Sequence, residues 1–154
     1  MVPEGPGATQ PFGRAEAALS VAWPLRSNDR ATLYADGGAS FGATPPILYQ
    51  FSLGGPSRLG AFGQNAFRGP NYLLGGAAYD KSLGRLPSLL GDRLYLRGLV
   101  EVGSAFERSS DAVLELSATF GLAADTFFGP LFLGASVGNG GHTRVYFLAG
   151  KVVR

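Results

Sequence analysis

The 154 residues include 24 Gly, 10 Pro and no Cys, and their formal net charge is +2. One domain suits this length. The missing Cys excludes a disulfide framework and thiolate metal sites, and so small a charge with no basic run argues against nucleic acid as a partner.

No stretch reaches the roughly 20 unbroken apolar residues of a membrane helix. Met1 to Gly7 also lacks the apolar core of a secretory signal, so an exported protein would carry its signal on a longer parent chain. Met1 to Phe12, rich in Pro, Gly and polar residues, reads as a flexible lead to a domain over 13–154. Arg14 to Trp23 alternates with period two, placing Ala15, Ala17, Leu19, Val21 and Trp23 on one face and Arg14, Glu16, Ala18 and Ser20 on the other. After a polar turn, Arg30 to Gly42 alternates again and ends at Thr44-Pro45-Pro46. Ile47 to Leu53 is a third, shorter run, so three strands are expected before the loop.

That loop, 54–70, is too rich in Gly and Pro for a helix or a central strand. It nevertheless carries Leu59, Phe62 and Phe67, which a merely solvated loop has no use for, so it is expected to fold onto something. Beyond it, Asn71 to Lys81 alternates weakly, and Arg93 to Phe106 and Ala112 to Ala124 alternate clearly. A run starting at Gly129-Pro130 reaches Gly138, the hairpin signal Asn139-Gly140-Gly141 follows, and Arg144 to Val153 closes the chain. The count is eight antiparallel strands.

Two architectures use such strands. A soluble β-sandwich would bury the Leu, Val and Phe face in a core. A transmembrane β-barrel turns that face to lipid and the small or polar face to the lumen, with strands of about 9 to 11 residues. The face opposite the large apolar residues is mostly Gly, Ala, Ser and Thr rather than Lys and Glu, which favours the barrel.

Three segments carry a family resemblance. Leu53-Gly54-Gly55, Arg58-Leu59-Gly60-Ala61-Phe62, Gly69 and Tyr72 resemble the loop of bacterial surface antigen barrels of the BamA and TamA type, above all the barrels at the C-terminal end of bacterial patatin-like phospholipases. Leu99 to Gly103 is similar to the family's acidic wall strand, and Ala124 to Leu131 to its penultimate turn. The resemblance implies that this chain is the C-terminal half of a sixteen-stranded barrel of the bacterial outer membrane. It would act as an anchor or translocation pore, with both termini in the periplasm and the loop at the cell-surface end. A protein-assembly or transport barrel is the alternative within the family. Implied partners are outer-membrane lipid, the barrel assembly machinery, and either a linked N-terminal lipase domain or a second copy of the chain. Closure on eight strands alone would leave no room for the loop.

The resemblance also assigns the site. The loop motif is Arg58, Leu59, Gly60 and Phe62; the family's tip Arg and Gly align with Gly60 and Ala61, leaving Arg58 as the nearest cation. Glu101, facing the lumen by parity, is its expected wall partner, and Glu101→Ala should then loosen the loop to proteolysis. Glu16, Asp36, Arg97 and Glu115 are expected as lumen charges, either tuning a pore or satisfying one another. Arg154 stands where such barrels finish on an aromatic, although Gly150 and Val153 partly fit that terminal signal.

Patatins are lipid acyl hydrolases with Ser in G-x-S-x-G, a pattern met here at Ser40 and Ser136, and Asp36-Gly37-Gly38 resembles their Asp motif. The chemistry needs a sharp strand-to-helix turn, an oxyanion hole and a base in reach. Both serines lie in or at the end of alternating strands, so no catalytic residue is expected in this chain. A hydrolase activity would belong to a domain outside it. The single His142 in a turn makes no metal site, Asp125 reads as a turn cap, and no cofactor is expected.

Overall fold

The computed structural model describes residues 11–56 and 58–150. The strands are β1 (Phe12–Pro24), β2 (Arg30–Gly42), β3 (Phe51–Leu53), β4 (Phe67–Gly69), β5 (Asn71–Arg85), β6 (Gly91–Phe106), β7 (Glu115–Thr126), β8 (Gly129–Gly138) and β9 (Thr143–Ala149). No α-helix occurs among the described residues. Seven strands form one antiparallel sheet in the order β1-β2-β5-β6-β7-β8-β9, and β3 and β4 form a separate ribbon. The expected lead over 1–12 lies mostly outside the described residues, as do Val153 and Arg154 of the terminal signal.

The run Ile47 to Leu53 is not a strand of the main sheet. Pro45 and Pro46 remove two successive donors, and Tyr49 N–H turns back to the Pro46 carbonyl at 2.8 Å, closing a 3-10 turn over Ile47–Tyr49. Only Phe51–Leu53 remains extended, and it pairs with Phe67–Gly69 at the base of the loop. Two main-sheet strands rather than three therefore precede the excursion, which runs over 43–70. The sheet has seven strands where the sequence predicts eight. Other boundaries shift less: β5 continues past Lys81 to Arg85 through a register shift between Ser82 and Gly84, and β7 begins at Glu115 because Ser109–Asp111 forms a 3-10 turn.

The sheet is open among the described residues, with β1 and β9 at its edges. Because seven is odd, these edge strands run in the same direction. Joining β1 directly to β9 would create a parallel seam in an otherwise antiparallel sheet.

The hairpin ends follow from local chemistry. Asn139-Gly140-Gly141 turns with φ of 75° at Gly140 and 80° at Gly141, and Gly138 N–H donates to the His142 carbonyl at 2.8 Å. In the β1–β2 turn, Asp29 accepts from the Tyr79 hydroxyl at 2.6 Å and from the Ser82 N–H at 2.9 Å, tying the turn to β5. These bonds, the Tyr79 one foremost, hold its carboxyl below the usual value of 3.8. A depressed carboxyl contributes stability above its unfolded pKa and loses it as pH falls through the folded value. Protection of the Ser82 amide, corrected for intrinsic exchange, should therefore fall once pH drops below the ordinary carboxylate range, and should show no such step in Asp29→Asn.

Register separates the faces. Opposite partners such as Leu33 and Ala77, Val100 and Ala118, and Leu122 and Leu133 share an outer face. Its large side chains are uncovered: Leu33 is 51% exposed, Leu116 50%, Phe120 61% and Leu133 53%. The other face carries the loop. There Phe51, Leu53, Leu59, Ala61, Phe62, Tyr72 and Leu74 form the buried core, with Tyr34, Phe67 and Ala105 packed at its margin. Full burial of Leu53, Leu59 and Phe62 contributes roughly 2 kcal/mol each. Glycines make the room. The Tyr34 ring covers Gly76, where an added Cβ would stand 2.4 Å from it, and Phe51 and Tyr72 cover Gly38 in the same way.

Candidate functional site: a loop docked by its backbone

The loop is bonded within itself as well as to the wall. Gly54 N–H donates to the Arg58 carbonyl at 2.8 Å, Phe62 N–H to Leu59 at 3.0 Å and Ala66 N–H to Gly63 at 3.1 Å. Gly54 has φ of 108°, and a Cβ there would lie 2.2 Å from the Gly63 carbonyl oxygen, so only glycine fits. Leu59 takes the left-handed region at φ 66°, which helps present successive amides of the tip outward.

Those amides meet the wall. Leu59 N–H and Gly60 N–H both donate to Glu101 Oε2 at 3.1 Å, the Tyr34 hydroxyl donates to Glu101 Oε1 at 2.7 Å, and Ala61 N–H donates to Ser117 Oγ at 3.0 Å. Glu101 and Leu59 are both 0% exposed. A buried carboxylate is costly unless its oxygens are satisfied, and here three donors satisfy it.

Glu101 is thus on the loop face, as its parity predicts, but its partner differs. Among the described residues no ion pair joins it to Arg58. The Arg58 guanidinium lies over the Tyr72 ring at 4.8 Å, and the Tyr72 hydroxyl donates to Glu16. The reason is geometric: the turn that buries Leu59 brings main-chain amides to Glu101 and directs the preceding side chain toward β5.

Gly60 sits against a hydroxyl cluster. Ser136 Oγ is 2.6 Å from Thr119 Oγ1 and 2.7 Å from the Tyr146 hydroxyl, and a Cβ on Gly60 would lie 2.8 to 2.9 Å from all three oxygens. Phe62 packs against Phe67 and His142, each at 5.0 Å between ring centroids. Seen from the sequence, the absent side chain at Gly60 is a departure from the family tip; in the fold it is the space that lets the tip seat.

The remaining charges disperse. Asp36 is buried on the loop face. Arg97 forks onto Asp80 at 2.6 and 2.9 Å, and Arg30 reaches the same carboxylate at 3.4 Å. Asp80 was not singled out by the sequence, although its β5 parity with Tyr72 would have found it. Glu115 accepts from Asn139 Nδ2 at 2.6 Å, while Asn139 Oδ1 takes the Leu116 N–H at 2.8 Å, so this pair ties the β8–β9 turn to the start of β7.

Ser40 lies on β2 and Ser136 on β8, neither at a strand-to-helix turn, and Ser136 bonds only hydroxyls. Asp125 pairs opposite Pro130 at the end of β7. Among the described residues no group of three or more His, Asp or Glu could hold a metal. What the site does show is a grip: a carboxylate and a serine hydroxyl hold three consecutive peptide N–H groups. Compared with family models and with curated proteins, the sequence matches none.

Proposed function

We propose that the chain is a wall segment of a bacterial outer-membrane β-barrel, serving as a membrane anchor whose interior is plugged by the docked loop. The observation that carries this reading is the inverted burial. Large apolar side chains stand uncovered on one face of the sheet, while the small and polar face holds the core. In a bilayer that arrangement satisfies both faces. A soluble sandwich would need a second layer over Leu116 and Phe120, and none is present among the described residues.

Further strands must pair the free edges, since unpaired N–H and C=O groups are not tolerated in hydrocarbon. Antiparallel closure calls for an odd number of them, a condition met by the nine that a sixteen-stranded barrel of the surface antigen type would require. A second copy of the same sheet, inserted in the same orientation, would instead create two parallel seams, so a C-terminal half completed by other strands of its own polypeptide is the better account. The internally bonded loop favours an anchor over an open translocation pore. Lipase chemistry, in a protein resembling patatin-like phospholipases, would reside in another domain.

The test is site-directed spin labelling from 115 to 122 in the membrane-reconstituted protein. Oxygen accessibility should peak at 116, 118, 120 and 122 and fall at the positions between. Uniformly low oxygen accessibility at those four positions would mean that protein covers this face and would remove the barrel reading.

A further inference from the structure

The outer face is not uniformly filled. A depression of about 590 Å³ opens across β5 to β8, walled by Tyr79, Val100, Phe120 and Val137 and floored by Ala77 and Gly98. A methyl group added at Gly98 would meet no atom within 4 Å, so the chain itself leaves this space open. In a bilayer such a trench must be occupied by hydrocarbon, since apart from Thr119 its lining side chains are apolar or aromatic.

One end of the trench is charged in a particular way. The hydroxyl of Tyr79, a wall residue, donates to Asp29 at 2.6 Å, and Asp29 stands half-buried in the β1–β2 turn. Lys81 follows Tyr79 on the same face of β5 and directly precedes Ser82, whose N–H holds the Asp29 carboxylate at 2.9 Å. An exposed cation and a half-buried carboxylate thus occupy neighbouring positions where the apolar trench meets the turn.

Those features complement a lipid with both charges in its headgroup. Each Asp29 oxygen has one protein donor and a remaining acceptor site, suited to an ammonium that still carries N–H bonds, while Lys81 faces the phosphate. A quaternary ammonium cannot donate there, and a purely anionic headgroup leaves Asp29 unanswered. We propose that the trench and the Asp29–Lys81 pair bind one zwitterionic phospholipid of the ethanolamine type, with an acyl chain lying over Gly98. This rests on the barrel reading above.

The experiment uses the full-length protein extracted from its native membrane in mild detergent. Native mass spectrometry would follow the retention of added ethanolamine, choline and glycerol phospholipids with identical acyl chains. The ethanolamine lipid should be retained about tenfold better than either competitor, and Gly98→Leu, whose Cβ meets no neighbour and whose side chain enters the trench, should reduce its retention about tenfold. Lys81→Ala should remove the headgroup preference while leaving some acyl binding. Equal retention of the three lipids, or unchanged retention in Gly98→Leu, would overturn the proposal. The wild-type protein should also stay in carbonate-washed membranes. If it does not, the barrel reading falls and the lipid site with it; if it stays there without lipid preference, the lipid site alone falls.

Discussion

Glu101→Ala should open the loop. The substitution removes the acceptor of Leu59 N–H, Gly60 N–H and the Tyr34 hydroxyl at once, in a site closed to water. Each buried donor left unpaired costs about 1 to 3 kcal/mol, so three together cost about 3 kcal/mol or more, and here the loop can escape that cost by undocking. Chymotryptic cleavage after Leu59 or Phe62 should accelerate by roughly two orders of magnitude or more, the factor such an energy implies. Glu101→Gln should fall between, because its amide offers one acceptor and turns a donor toward the other N–H or O–H groups. Arg58→Ala separates this account from a side-chain ion pair. It removes the contact with Tyr72, whose stacking is worth about 1 kcal/mol, and leaves the Glu101 bonds in place, so cleavage should stay near the wild-type rate. If Arg58→Ala opens the loop as fully as Glu101→Ala, the backbone grip is not what holds it.

Gly60→Ala is the second large effect. One methyl group would be driven to 2.8 to 2.9 Å from three oxygens that already bond one another, so either the cluster breaks or the tip lifts. Overpacking of this kind costs about 1 to 3 kcal/mol, and a lifted tip also lengthens the Glu101 contacts. Far-ultraviolet dichroism should stay unchanged, because the strands do not depend on the tip, while loop cleavage accelerates about tenfold or more. Ser136→Gly in the Gly60→Ala background should restore part of the protection by clearing one of the three oxygens. An equal cleavage rate in Gly60→Ala and wild type would show that the tip has slack the distances do not suggest.

Much of the wall was legible because alternation is a local property. Each strand reports its own two faces, and Leu114 to Leu122 or Arg30 to Gly42 does so without help from neighbours. Turn chemistry at Asn139-Gly140-Gly141 was legible for the same reason. Ile47 to Leu53 misled because it is apolar enough for a strand, yet two prolines and a place at the foot of the loop outweigh that composition. The loop was visible as a folded object through Leu59, Phe62 and Phe67. Its partner atoms were not, since the sequence names side chains and the contact to Glu101 is made by peptide groups. The Asp80 cluster was missed for a different cause: Arg30, Asp80 and Arg97 come from three strands, and only the register brings them into one row.

A clasp that reads amide protons ignores the identity of the side chains it fastens, so the grip of Glu101 constrains the tip through its shape alone. What limits the letters is the packing around the clasp: position 60 must stay bare, 59 must adopt its unusual twist, and 59, 61 and 62 must still fill the buried core. Exchanges that keep size and apolarity at those three positions should leave the fastening intact.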